Sequence, residues 1–277
     1  MICFGSPDGG TCMTPYRSLS EMGATVGRAI GQHWDITCRA LARGEHAVAE
    51  PAFFRLMTGE PHPFANMAFI SPSADLATAR AAVEPLIASR MPAAAAFPGM
   101  DVPSDISAYL VEHGFASGSV PAMGVDIASL EPTTLPAGYE FTRIGGGPEG
   151  EEWVRQMAIG FALPPVAARC FSPASPEADN SPDSPAQFYA VRRNGMIVAT
   201  SACYLGDGIA GIYCVSTLPE ERGKGLGAHA TAEPLRLAAK QGYGVGILQS
   251  SEAGYAVYKR LGFADFGKVP FYVRMPS

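Results

Sequence analysis

No apolar run in this sequence approaches the roughly 20 residues that a membrane-spanning helix needs, so a membrane partner is not expected. No pair of cysteines forms a CxxC. The six stand at 3, 12, 38, 170, 203 and 214, in no spacing that reads as a zinc site, and no metal is expected. Cys203 and Cys214 fall in apolar strand-like runs and read as reduced core thiols. Positive charge is scarce: 20 Lys and Arg stand against 26 Asp and Glu, for a net charge of −6. Affinity for nucleic acid rests on Lys and Arg neutralising phosphates, so nucleic acid is not expected as a partner either. The first 22 residues lack a basic start followed by an apolar run, which excludes a secretory leader there and leaves a cytoplasmic chain as the expectation. The glycine-rich stretch 219–230 fits neither the Walker pattern GxxxxGK[ST] nor the Rossmann pattern GxGxxG.

What the sequence does have is a core. At 47% hydrophobic and 17% charged, it can bury enough surface to exclude global disorder. In the C-terminal half, residues 139–144 read as a strand and 149–161 as a helix with apolar residues at helical spacing. Residues 186–205 hold two β-rich runs around Asn194-Gly195. That dipeptide marks a hairpin, because both residues tolerate the positive φ of a type I′ turn. A buried strand at 209–215, a helix to about 240, a strand at 244–249, a helix at 252–263 and a strand at 269–275 complete a β-α-β-β-β-α-β-α-β order. The Pro-, Ser- and acid-rich segment 172–186 excludes regular structure and reads as a long exposed loop.

Proline-punctuated residues 130–140 divide the chain. Upstream, 22–41 and 51–57 read as helices, 63–70 as a strand, 74–90 as a helix, 92–98 as a strand, 105–116 as a helix and 120–127 as a strand. That order repeats the end of the C-terminal half. "YLVEHGFA" (109–116) lies over "VYKRLGFA" (257–264) at an offset of 148, and "FANM" (64–67) lies over "IYCV" (212–215) at the same offset. A degenerate duplication is the expected organisation. It gives a flexible lead-in at 1–21, an N-terminal domain at 22–130 and a C-terminal domain at 138–277.

The sharpest local feature is "PEERGKGLGAHA" (219–230). A helix N-terminus exposes unpaired N–H groups and about half a positive charge. Glycines let successive amides turn toward one anion and let it approach closely. Gly223, Gly225 and Gly227, with Arg222 and Lys224 beside them, therefore read as an anion site suited to a pyrophosphate. A tight structural turn would use glycines too. The aligned N-terminal segment, "SPSADLATARAA" (71–82), has no glycine and no leading cation pair. Only the C-terminal copy keeps the feature.

The loop follows a buried strand and opens a helix, with "YKRLGF" some thirty residues later. In this the chain resembles the GNAT superfamily of acyl-CoA-dependent N-acyltransferases. Arg222, Gly225 and Gly227 match its R/Q-x-x-G-x-G/A signature, and Tyr258 with Gly262-Phe263 matches its Y-x-x-x-G-F element. The resemblance implies an α/β fold with a mixed sheet, in two GNAT-like units of which the N-terminal one is degenerate. It implies acetyl-CoA as co-substrate, no metal, and an acetyl group passed directly to an amine of a small molecule or peptide. Backbone amides of Gly223, Lys224, Gly225, Leu226, Gly227 and Ala228, with Arg222 nearby, would hold the pyrophosphate. Val215, Ser216 and Thr217 would pair with the pantetheine arm, a backbone N–H near Val215 would polarise the acyl carbonyl, and Tyr258 would protonate the leaving thiolate.

Two positions depart from the family pattern. Ser251 stands where the family often carries Asn, and "IAGIYCV" (209–215) has no Asp, Glu or His to act as the base. Asp207, Glu151, Glu152, a water chain or no base at all stay open. So do two other functions: a different CoA-thioester enzyme on this fold, such as a decarboxylase, and a CoA-binding module without catalysis. The N-terminal half could close one side of the acceptor site or form a homodimer surface.

Overall fold

The computed structural model describes residues 14–175, 178–181 and 183–276. Cys3 and Cys12 lie outside the described residues, as does most of the lead-in. Residues 14–21, expected to be flexible, are tied down instead. The Tyr16 N–H donates to the Gly208 carbonyl at 3.0 Å, the Gly244 N–H donates to the Tyr16 carbonyl at 2.8 Å, and the Leu19 N–H donates to Asp126 at 2.6 Å.

The first half runs α1 (Leu19–Met22), α2 (Val26–Leu41), β1 (Ala47–Glu50), β2 (Phe53–Met57), β3 (Asn66–Ile70), α3 (Leu76–Ala88), β4 (Ala93–Ala96), α4 (Ser104–Glu112) and β5 (Phe115–Asp126). The second runs β6 (Tyr139–Ile144), α5 (Gly147–Phe161), α6 (Pro165–Cys170), β7 (Ala186–Arg193), β8 (Met196–Gly206), β9 (Ile209–Thr217), α7 (Leu226–Ala239), β10 (Val245–Gln249), α8 (Glu252–Arg260) and β11 (Ala264–Arg274). The expected order of the second half holds, with the short α6 added. The Asn194-Gly195 turn has φ of +50° and +80°, as a type I′ hairpin requires.

A second expectation fails. Residues 51–57 are not a helix; β2 lies between β1 and β3, antiparallel to both. Phe53 packs into the cluster under α3, whereas Phe54 and Leu56 pack into another that includes Cys38 and Phe69. Its apolar residues lie on both faces around the single Arg55, so the segment shows no two-residue alternation, and periodicity does not separate it from a buried helix.

All eleven strands form one mixed sheet in the order β1-β2-β3-β4-β11-β5-β10-β9-β8-β7-β6. The two halves exchange their last strands. β5 of the first half pairs with β10, and β11 of the second half pairs with β4. β5 and β11 then pair with each other from Phe115↔Arg274 to Gly124↔Ala264, sealing the halves together. The matching helices α4 and α8 lie 148 residues apart at both ends. Helix α2 crosses the seam, where Val26 and Ile30 pack against Ala122, Ile209, Val245, Ile247 and Val269. Among the described residues no helix is long and apolar enough to cross a membrane.

Candidate functional site

The site forms where two parallel strands part. β9 pairs with β10 only at Ala210↔Gly246 and Gly211↔Ile247, although β9 continues to Thr217. β10 stays with β5 to its end at Gln249, opposite Ala122. A wedge therefore opens beyond Gly211. On the other side of β9, the register to β8 shifts between Thr200 and Ala202, and Cys214 sits at φ +52°. This bulge re-aims the strand just before Val215. It is pinned by the Thr200 hydroxyl, which donates to the Cys214 carbonyl at 2.9 Å and bonds the Ser216 hydroxyl at 2.8 Å.

The glycine loop follows directly. Gly223 and Gly225 have φ of +79° and +80°, a left-handed backbone that favours glycine, and a Cβ at either would stand in open space. Gly225 is the N-cap of α7 and supplies no side-chain cap. The equivalent helix in the first half is closed differently. Asp75 caps α3, its carboxylate accepting the Thr78 N–H at 2.8 Å. That end already holds a fixed negative charge, which satisfies an amide and repels a second anion.

Cations around the loop are partly committed. Glu221, just upstream, has its carboxylate 2.7 Å from the Lys224 ammonium, 2.5 Å from the Tyr139 hydroxyl and 2.9 Å from Arg193. Hydrogen bonds from Lys224, Tyr139 and Arg193 hold its carboxyl down at about 2. Lys224 thus braces the loop against β6 and β7. Arg222 reaches back across the end of β9, its Nε donating to the Thr217 carbonyl at 3.2 Å and its Nη2 to the Gly160 carbonyl at 3.4 Å.

Tyr258 completes the near side. α8 starts at its N-cap Ser251, whose hydroxyl accepts the Gly254 N–H at 3.2 Å. About two turns on, Tyr258 is 9% exposed and packs on Phe263. Burial pushes its phenol up to about 12, opposed by the Thr231 hydroxyl beside it. It is protonated at neutral pH and able to donate. Val215, Ser251 and Tyr258 line one cavity of about 300 Å³.

The cavity's far walls come from residues that sequence patterning did not mark: Trp34, Phe64 and Met67 of the first half, and Met157, Tyr213 and Gln249 of the second. The Tyr213 hydroxyl is hydrogen-bonded to His33 Nδ1 at 2.8 Å, and the Gln249 amide donates to the Ile30 carbonyl at 2.8 Å. Burial lowers His33 to about 4, so it is neutral at pH 7. The three acids considered as bases lie elsewhere. Glu151 is paired with Arg169, Glu152 accepts from Arg192 and the Ile197 N–H, and Asp207 stands in the β8–β9 turn; none lines the cavity. No cluster of His, Cys, Asp and Glu suited to a metal occurs among the described residues.

Known proteins resemble this chain in sequence and in fold. The chain is similar to a protein named mycothiol acetyltransferase from Streptomyces avermitilis, at 29% identity over 150 residues, which is 52% of this chain and 48% of that protein. The match thus spans about half the length of each. Its fold is that of a GCN5-related N-acetyltransferase from Kribbella flavida, with a TM-score of 0.59 and 22% identity over 90% of this chain and 95% of the other. A GCN5-related N-acetyltransferase from Sphaerobacter thermophilus aligns with a TM-score of 0.58 and 15% identity, over 92% and 91% of the two chains. A family profile described as acetyltransferase (GNAT) family matches residues 160–263. That stretch runs from the end of α5 through the parted strand, the glycine loop and Tyr258, and it is a domain of the GNAT acetyltransferase family.

Proposed function

We propose that the chain is an acyl-CoA-dependent N-acyltransferase that passes an acetyl group to an amine within a ternary complex. The observation that carries this reading is the placing of three elements around the end of β9: Val215 on its parted edge and Tyr258 line one cavity, and the glycine-led start of α7 lies beside that edge, where a Cβ at Gly227 would meet Thr217 and Val215. The residues present fit an acyl-CoA, which supplies the thioester when bound. The left-handed turns at Gly223 and Gly225 leave room for an anion against the amides of residues 223–228. Arg222 adds charge beside them, and Lys224, braced by Glu221, fixes the loop's shape. Val215, Ser216 and Thr217 offer a strand edge to which an extended amide chain can add. Ser251 keeps its hydroxyl proton for a pantetheine carbonyl.

In the transfer step the Val215 N–H polarises the acyl carbonyl as a preorganised donor. The amine nitrogen bonds to the acyl carbon as the carbon–sulfur bond breaks and loses one proton to water, while Tyr258 gives its proton to the departing sulfur and is reprotonated by water. Holding amine and thioester together supplies much of the rate. In the first half, the Asp75 carboxylate and the absence of glycine leave α3 unable to cradle a second pyrophosphate. That half acts as a wall of the acceptor cavity.

Thiol release from acetyl-CoA across an amine panel tests the reading. Amine-dependent release, with acetylated amine formed in equal amount, is expected. Binding of acetyl-CoA with no release on any amine would leave a binding module. Acceptor-free turnover of malonyl-CoA would leave a decarboxylase.

A further inference from the structure

The chemistry of the cavity walls restricts what can enter. Trp34, Phe64 and Met67 from the first half face Met157, Phe161 and Phe171 from the second. Among the described residues that line the cavity there is no Asp, Glu, Lys, Arg or His. Its polar groups are hydroxyls, the Gln249 amide and the thiols of Cys38 and Cys214, which burial keeps protonated. Asp35, on the same helix as Trp34, is turned away and paired with Arg39 at 2.9 Å. The cavity mouth is apolar as well: Phe64 and Phe161, one from each half, are each 41% exposed and line it.

An alkylammonium entering such a space would leave water with no opposite charge to meet it. It would also find no carboxylate or imidazole lining the cavity to take its proton. With a pKa near 10, only roughly one alkylamine in a thousand is neutral at pH 7. A nitrogen conjugated to an aromatic ring arrives neutral, and its ring matches the walls. An acyl tail carried in on CoA would need only a closed pocket beyond Val215, whereas this cavity opens to solvent beside Phe64.

We propose that the acceptor is a small amine that is uncharged at pH 7 and borne on an aromatic body, and that Trp34, Phe64 and Met67 of the first half select it. The inference rests on the acyltransferase reading. The neutral nitrogen forms its bond to the acyl carbon as the carbon–sulfur bond breaks. The nitrogen then loses one proton to water, sulfur gains one from Tyr258, and water restores the phenol, so the products are the acetylated arylamine and the free thiol.

The test uses the intact chain, p-toluidine and spermidine. Trp34 lines the cavity while Trp153 is fully buried elsewhere, so saturable quenching by p-toluidine without CoA reports occupancy. Thiol release from acetyl-CoA should be about 1,000-fold more efficient (kcat/KM) with p-toluidine than with spermidine, in line with the neutral fractions. Phe64→Glu, at a half-exposed turn position, should raise the quenching constant and KM for p-toluidine about tenfold or more and leave acetyl-CoA affinity unchanged. Phe161→Glu, on the opposite half, provides a second variant with the same expected result. Thiol release with spermidine but no quenching by p-toluidine overturns this inference and leaves the acyltransferase intact. Thiol release with neither amine, nor with any other in the panel, overturns the acyltransferase itself. Displacement of p-toluidine by octanoyl-CoA but not acetyl-CoA, with octanoyl-CoA the better donor, overturns the inference in favour of an acyl-tail pocket.

Discussion

Gly225→Val is expected to lower acetyl-CoA affinity by about 100-fold or more while the chain stays folded. Losing two charge-assisted hydrogen bonds to the pyrophosphate alone costs about 3 kcal/mol, which is two powers of ten in binding. Gly225 sits at φ +80°, where a β-branched residue is strained by roughly 1–3 kcal/mol, so the loop must re-form with its amides turned away. No neighbour would be struck, because a Cβ there stands in open space, and the fold has no packing reason to fail. Gly227→Leu separates binding from strain. Gly227 is inside α7, and a Cβ would lie 3.5 Å from Thr217 Oγ1 and 4.0 Å from Val215 Cγ1, in the gap that the pantetheine arm would cross. Leucine is the better helix former by roughly 0.8–1 kcal/mol, so this variant should bind acetyl-CoA poorly yet melt no earlier. Wild-type affinity in both variants, read by titration calorimetry, would remove the loop from the account.

Tyr258→Phe is expected to cut kcat by about 100-fold with little change in acetyl-CoA affinity, the low end of what a positioned proton donor contributes. The ring stays, so its packing against Phe263 survives, and Thr231 retains its own bond to the Gly227 carbonyl at 2.8 Å. Because burial raises the phenol to about 12, its neutral form persists across the working range, and its proton is lost only as pH rises toward that value. Stopped-flow measurement of the transfer step keeps slow product release from masking the loss. Wild-type turnover in the variant would make Tyr258 a packing residue.

The legible parts of the chain are those whose chemistry is contiguous. The glycine loop could be read because its backbone demands fall within a few residues, and Gly223 and Gly225 do adopt the left-handed turns that it needs. The pairing of Glu221 with Lys224 was also there to be found, three residues apart, and it changes the role of that cation. Strand exchange left no mark, because β5 would show the same alternation whether it paired with β4 or β10. The cavity walls were illegible for a related reason. Trp34 and Phe64 read as ordinary core residues of another half, and only the seam between β5 and β11 brings them to Tyr258. The misread segment 51–57 is a case where burial on two faces erased the period that distinguishes strand from helix.

The central proposal is a single acyl-CoA cradle in this chain, open at α7 and closed at α3 by Asp75. Calorimetric titration of the wild-type chain with acetyl-CoA tests it most directly. One molecule bound per chain, and none in Gly225→Val, is the predicted result. Two per chain, or one that survives Gly225→Val, would contradict it.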